Sequence, residues 1–104
     1  MSTLKEYAGI FMYYFIAQDP IFPFQYAYGI RENKFGLVNI VRTGPIHDIQ
    51  VEHNVIITYD LFYKLGELIT DQEERVIYLT MFANLTLPIF DNELIGPPVT
   101  LTLQ

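Results

Sequence analysis

Between His47 and Tyr59 the odd positions Ile49, Val51, His53, Val55, Ile57 and Tyr59 are apolar or ring-bearing. The even positions Asp48, Gln50, Glu52 and Asn54 are polar, with Ile56 and Thr58 breaking that face near the end. Side chains alternate faces along a strand, so this period of two predicts one long strand, buried on one side, around which a sheet is built. Upstream, Phe24, Tyr26, Tyr28 and Ile30 share one face, and Phe35, Leu37, Asn39 and Val41 share another. A two-residue loop at Glu32-Asn33 would set Ile30 opposite Phe35, Tyr28 opposite Leu37, Tyr26 opposite Asn39 and Phe24 opposite Val41, with apolar facing apolar at three of four positions. With Arg42-Thr43-Gly44-Pro45 as the next turn, the three strands form an antiparallel meander. Val99, Leu101 and Leu103 alternate with Thr100 and Thr102 and predict a further, C-terminal strand that needs a sheet edge, its own or a neighbour's.

Helical signals flank these strands. Thr3-Leu4-Lys5-Glu6 matches a capping box and opens a helix to about Ala17, which Asp19-Pro20 stops. Beyond Glu6 this segment is apolar nearly all round, the pattern of a helix buried on more than one side; its stretch Ile10–Ile16 is also rich in β-formers, so a strand is the competing reading. Asp60 can cap a short helix over Leu61–Leu68, with Leu61, Phe62, Leu65 and Leu68 as its stripe. Thr70-Asp71-Gln72-Glu73 is a second capping box, opening a helix to about Leu85 with Val76, Ile77, Met81 and Leu85 on one side. Residues 86–98 read as a proline-bearing loop. The expected architecture is therefore a single α+β domain over residues 1–104. Its antiparallel sheet, a three-strand meander plus the C-terminal strand, packs against two or three helices in the order α-β-β-β-α-α-β.

Composition changes this picture in one respect. In 104 residues, 51% are hydrophobic and sixteen are Phe or Tyr, whereas 17% are charged, against a usual charged share of about 25%. With so few charges to cover a small protein's large surface, part of that surface is expected to be buried against another chain, most simply a second copy. The net charge of −6 and the scattered Lys5, Arg31, Lys34, Arg42, Lys64 and Arg75 argue against nucleic acid as a partner. The apolar run Tyr7–Ala17 spans eleven residues, too short for a bilayer crossing, and no small-residue cleavage site follows it. No membrane association is expected, and the cytoplasm is the expected compartment.

Candidate chemistry is sparse. The chain has no cysteine, its lone serine is Ser2, and its six glycines are isolated, so thiolate chemistry, a serine triad and a phosphate loop are all disfavoured. His47 and His53 lie six residues apart, about 20 Å along a strand, too far to share a metal ion, and His53 reads as a core or interface histidine. Asp71, Glu73 and Glu74 fit helix capping better than acid–base work, and Asp91 and Glu93 read as a turn residue and a solvated charge. No catalytic, metal or cofactor-binding residue is assigned.

The feature that stands out is apolar residues around proline-stiffened loops: Ile21, Phe22 and Phe24 on one, Ile89 and Phe90 on the other. Stiff loops bearing Phe anchors are how interface hot spots are made. Tyr13, Tyr14, Ile21, Phe22, Ile89 and Phe90 are accordingly the expected partner-binding residues. The expected function is non-catalytic: a small acidic interaction or assembly protein acting as a homo-oligomer, with a further protein partner possible, of the kind found in viruses and mobile elements. The alternative is a small-ligand binder or enzyme with a pocket between sheet and helix, using Tyr hydroxyls, Asn39 or His53 as polar handles.

Overall fold

The computed structural model describes residues 5–18, 23–84 and 93–96. Its strands are β1 (Glu6–Gln18), β2 (Gln25–Glu32), β3 (Val38–Thr43), β4 (Asp48–Gln50), β5 (Val55–Ile57), β6 (Leu61–Leu68) and β7 (Glu93–Ile95), and a single described helix, α1 (Gln72–Ala83), follows β6. All seven strands form one mixed sheet in the order β4-β5-β6-β1-β2-β3-β7. The expected α+β order is overturned: two predicted helices are strands, and the protein is mostly β.

The first segment is the central strand. β1 runs antiparallel to β2 on one side and parallel to β6 on the other. It is apolar all round because both of its faces are covered, the pattern of a doubly buried strand as much as of a buried helix. Phe11 and Tyr14 face one way, and Phe15, stacked on Tyr28, faces the other. Leu61–Leu68, expected as a helix, is β6, and its pairing along β1 overrides the helical spacing of its leucines. The capping box at Thr3-Glu6 is replaced at Glu6 by the start of β1, and its earlier residues lie outside those described. Asp60 caps nothing helical; its carbonyl accepts from the Glu6 N–H.

The long strand expected from His47 to Tyr59 is broken into a hairpin. β4 pairs antiparallel with β5, and a 3-10 turn at Val51–His53 with Asn54 in the left-handed region (φ 53°) joins them. Asparagine tolerates that conformation; the four-residue turn sets Ile49 opposite Ile56 and Asp48 opposite Ile57, so the odd-numbered face expected of one long strand does not carry across the reversal. The hairpin does not continue a meander: β4 is an edge strand, five positions away from β3.

The β2–β3 hairpin forms as expected, but in another register. Ile30 faces Ile40 rather than Phe35, a shift of five residues, and an odd shift turns every β3 side chain to the other face. The cause is the loop. Asn33 Oδ1 accepts from the N–H groups of Phe35 and Leu37, both at 2.9 Å. The Asn33 N–H also donates to the Leu37 carbonyl at 2.8 Å. This Asx-type cap, with Gly36 at φ 84°, makes a five-residue loop outcompete the two-residue one.

The sheet is strongly curled. Thr43 ends β3 and Asp48 begins β4, so four residues cross between strands five positions apart. A flat sheet would separate those strands by about 24 Å at ~4.8 Å per step, while the five virtual bonds from Thr43 to Asp48 reach about 18 Å at most. The crossing at Gly44–His47 is therefore possible only across the end of a rolled sheet. Along it the Ile46 N–H donates to the Gln25 carbonyl of β2, and the His47 N–H to the Ile57 carbonyl of β5. Thr43 Oγ1 takes the Ala27 N–H at 3.1 Å, completing the ladder where β3 peels away.

Rolling creates two cores. On the concave side Phe11, Ala27, Val41, Ile56 and Tyr63 form one buried cluster drawn from five strands. On the convex side Phe15, Tyr26, Tyr28, Ile69, Phe82 and Leu94 form the other, covered by α1 through Tyr78, Leu79 and Phe82. The helix is the element the sequence places best. Its cap is Asp71 rather than Thr70, the Asp71 carboxylate accepting from the Glu73 N–H at 3.0 Å. Among the described residues no helix is long and apolar enough to cross a membrane.

Candidate interaction surface and the ion pair beneath it

Of the residues expected to bind a partner, Ile21, Phe22, Ile89 and Phe90 lie outside the described residues, as does the C-terminal strand at Val99–Leu103. Tyr13 is exposed on β1 and Tyr14 half-buried beside it. Consecutive on the strand and paired with Ile30 and Gly29, they point to opposite faces of the sheet. They therefore do not form one patch.

The strongest apolar protrusion is one that sequence reasoning placed inside a strand. At the tip of the β2–β3 hairpin Phe35 is 77% exposed and Leu37 62%, with Val38 beside them. The three hydrogen bonds through Asn33 hold this loop, and the Lys34 ammonium lies over the Phe35 ring. A pre-formed loop carries its apolar groups into contact with little further loss of conformational entropy. Asn-Lys-Phe-Gly was the available signal: an Asn cap and a Gly two residues apart from it by Lys-Phe mark a turn, so the Phe between them stands on its apex.

Beneath the tip lies the most polar part of the interior. A cavity of about 190 Å³ is lined by Tyr7, Arg31, Asn33, Lys34, Phe35 and Glu93, among others. Arg31, 6% exposed, bonds through Nη1 to both carboxylate oxygens of Glu93 at 2.7 and 2.5 Å. The Tyr63 hydroxyl donates to Glu93 Oε2 at 2.7 Å. Tyr63 is on β6 and Glu93 on β7, four strands apart, so this contact ties the two sides of the rolled sheet together. Glu93 was expected in a loop as a solvated charge; instead it begins β7 and is the anion of a buried pair. Arg31 was counted only among the scattered basic residues; it lies on the β2 face opposite Tyr26 and Tyr28, and in the rolled sheet both faces of β2 are buried.

Burial, reinforced by the Glu93 charge and hydrogen bond, raises the Tyr63 hydroxyl far above its ordinary pKa, with Arg31 opposing. A group whose folded pKa is raised contributes stability that is fully present below its unfolded value, about 10, and lost as pH climbs toward the folded value. Stability is therefore expected to fall above pH ~10 by about 1.4 kcal/mol per pH unit from this residue alone. Urea midpoints measured from pH 9 to 11 check it: Tyr63→Phe should be less stable at pH 9 but show a shallower alkaline decline. An identical decline in both proteins would exclude Tyr63 as the source.

Other candidate groups do not converge. His53 is exposed in the 3-10 turn rather than buried, Asn39 is half-buried on β3, and the two lie in different parts of the sheet. Among the described residues no three His, Cys, Asp or Glu side chains cluster as a metal site. Between α1 and β3 runs an open groove of about 350 Å³ lined by Ile40, Glu74, Ile77, Tyr78 and Met81. Burial, and then the nearby Glu74 charge, raise the Tyr78 hydroxyl above its usual pKa. No protein-family model matches this chain, and comparisons with curated proteins and with solved structures find no significant match.

Proposed function

We propose that this protein is a non-catalytic interaction module of the cytoplasm that associates with copies of itself through the β2–β3 hairpin tip. The observation that carries the reading is the pairing of exposure with rigidity at Phe35 and Leu37, 77% and 62% exposed on a loop fixed by backbone and Asn33 hydrogen bonds. Aromatic anchors on pre-organised loops supply most of the binding energy at protein interfaces. The rest of the surface is consistent with it: among the described residues thirteen large apolar side chains, Val51 and Tyr59 among them, are more than a third exposed. That is more apolar surface than a chain with 17% charged residues keeps in water at low cost.

Light scattering behind a sizing column tests this directly. At tens of micromolar the native chain should elute at a multiple of its 12.1 kDa mass. The double variant Phe35→Ser, Leu37→Ser should elute at the monomer mass with unchanged circular dichroism, because both side chains project from the fold. A monomeric native protein would overturn self-association, and an unchanged oligomer in the variant would overturn the hairpin tip as its seat.

A further inference from the structure

The cavity beneath the hairpin tip is walled by both sides of the rolled sheet, and its lining carries charges of both signs in equal number. Arg31 of β2 and Lys34 of the β2–β3 loop are its cations; Glu6 of β1 and Glu93 of β7 are its anions. Between them stand the rings of Tyr7 and Phe35. At about 190 Å³ it is smaller than the ~300–1,000 Å³ of sites that take drug-sized molecules. Any ligand it holds is therefore small.

The four charges are unequally occupied. Among the described residues the hydrogen bonds of Arg31 all run through Nη1, to Glu93 and, at 3.4 Å, to the Ala8 carbonyl. A guanidinium has further donors on Nη2, and these are open. Glu93 accepts from Arg31 through both oxygens and from Tyr63 through Oε2, so of a carboxylate's roughly four lone-pair positions one is left. The Lys34 ammonium lies over the Phe35 ring, and Glu6 is exposed at the mouth. A singly charged ligand would gain from one pair of these groups and be repelled by the other. A molecule that carries both charges close together gains from both, and an apolar body would lie against Tyr7 and Phe35. A peptide terminus has only one of the two charges; a free α-amino acid has both.

We propose that this cavity binds a free α-amino acid with an aromatic or large aliphatic side chain. Its carboxylate pairs with Arg31 Nη2 and Lys34, its ammonium with Glu6 and the open position on Glu93, and its side chain packs against Tyr7 and Phe35. The site goes beyond self-association and needs only one chain, although Phe35 is common to both.

L-Phenylalanine is the probe, titrated into the native chain and into Leu37→Ser, which weakens the apolar tip while leaving Phe35 in place. With arginine only at positions 31, 42 and 75, the Nε–H signals in a nitrogen–proton correlation spectrum are few enough to assign by substitution. The Arg31 signal should move saturably, and that of Arg42, whose Nε is also buried without a partner but lies outside the cavity lining, should stay. Phenethylamine, which lacks the carboxylate, and 3-phenylpropionate, which lacks the ammonium, should each bind about tenfold more weakly or worse, the scale of one lost charge-assisted hydrogen bond. Lys34→Met and Glu6→Gln, both at the rim and outside the buried core, should each weaken phenylalanine binding by a similar factor. No saturable shift in either protein by about 10 mM would overturn the site. Equal movement of the Arg42 signal, or equal binding of either singly charged analogue, would overturn the assignment of an amino acid to it.

Discussion

Glu93→Leu is expected to destabilise the protein by about 3–5 kcal/mol, the cost of leaving a buried charge uncompensated. Arg31 would be that charge: its side chain is 6% exposed and, among the described residues, its only ionic partner is Glu93. Its Nε is already buried without a hydrogen-bond partner, so nothing in place can take over. The Tyr63 hydroxyl would lose its acceptor as well. Small domains are stable by about 5–15 kcal/mol in total, so the variant should be unfolded or nearly so at 37 °C. Replacing the set together, with Arg31→Met, Glu93→Leu and Tyr63→Phe, removes both charges and the orphaned hydroxyl, and should recover most of the loss. Urea denaturation of the single and triple variants checks this. If Glu93→Leu costs less than about 1 kcal/mol, on the scale of an exposed pair, the network does not join the two sides of the sheet.

That network also shows why much of the fold was illegible in the sequence. Periodicity reports how many faces of an element are buried, and here a rolled sheet buries both faces of its middle strands. β1 was therefore apolar at nearly every position, and the same pattern fits a buried helix. Glu6–Gln18 is also thirteen residues long, beyond the usual strand of about five or six, which favoured the helical reading further. Local signals fared better where they are self-contained. Helix α1 was legible because Asp71, Glu73 and Glu74 mark its start through contacts within one turn. The existence of the β2–β3 hairpin was legible from alternation, but its register was not, because Asn33 fixes it with a side-chain cap that alternation does not encode.

The candidate surface was half legible for the same reason. Composition pointed to apolar residues left over at the surface, and the described residues include thirteen such large side chains. It did not say which: Tyr13 is exposed, yet Phe35 and Leu37, counted into a strand, came to stand together at a hairpin tip once the loop lengthened by way of Asn33. The buried pair was invisible because its partners are 62 residues apart, and only the roll of the sheet brings β2 and β7 together.

Gly29→Val should be the most disruptive substitution of an uncharged residue, abolishing the cooperative fold. β1 bulges between Phe11 and Tyr13, and a bulge bends its strand and increases the local twist. The bulge drives the β1 backbone into the space beside Gly29 of β2. Any Cβ on Gly29 would collide with the Tyr13 carbonyl oxygen and crowd Tyr14 Cα at 2.8 Å, contacts with backbone that cannot swing aside. On the other flank a Cβ on Gly66 of β6 would also meet backbone, the Met12 and Phe11 carbonyl oxygens at 2.7 and 2.8 Å, so β1 has little room to retreat toward β6. Overpacking usually costs about 1–3 kcal/mol because side chains adjust; with backbone on both sides the cost should exceed that range. Gly36→Ala provides the contrast: nothing lies within 4 Å of a Cβ there and the penalty is limited to its φ of 84°, about 1 kcal/mol or a little more. Thermal unfolding by circular dichroism should therefore show a modestly lowered midpoint for Gly36→Ala and no cooperative transition for Gly29→Val. Should Gly29→Val melt like the native protein, the bulge on β1 is not what sets the curl, and the close approach of β1 to β2 at this position is relieved in solution.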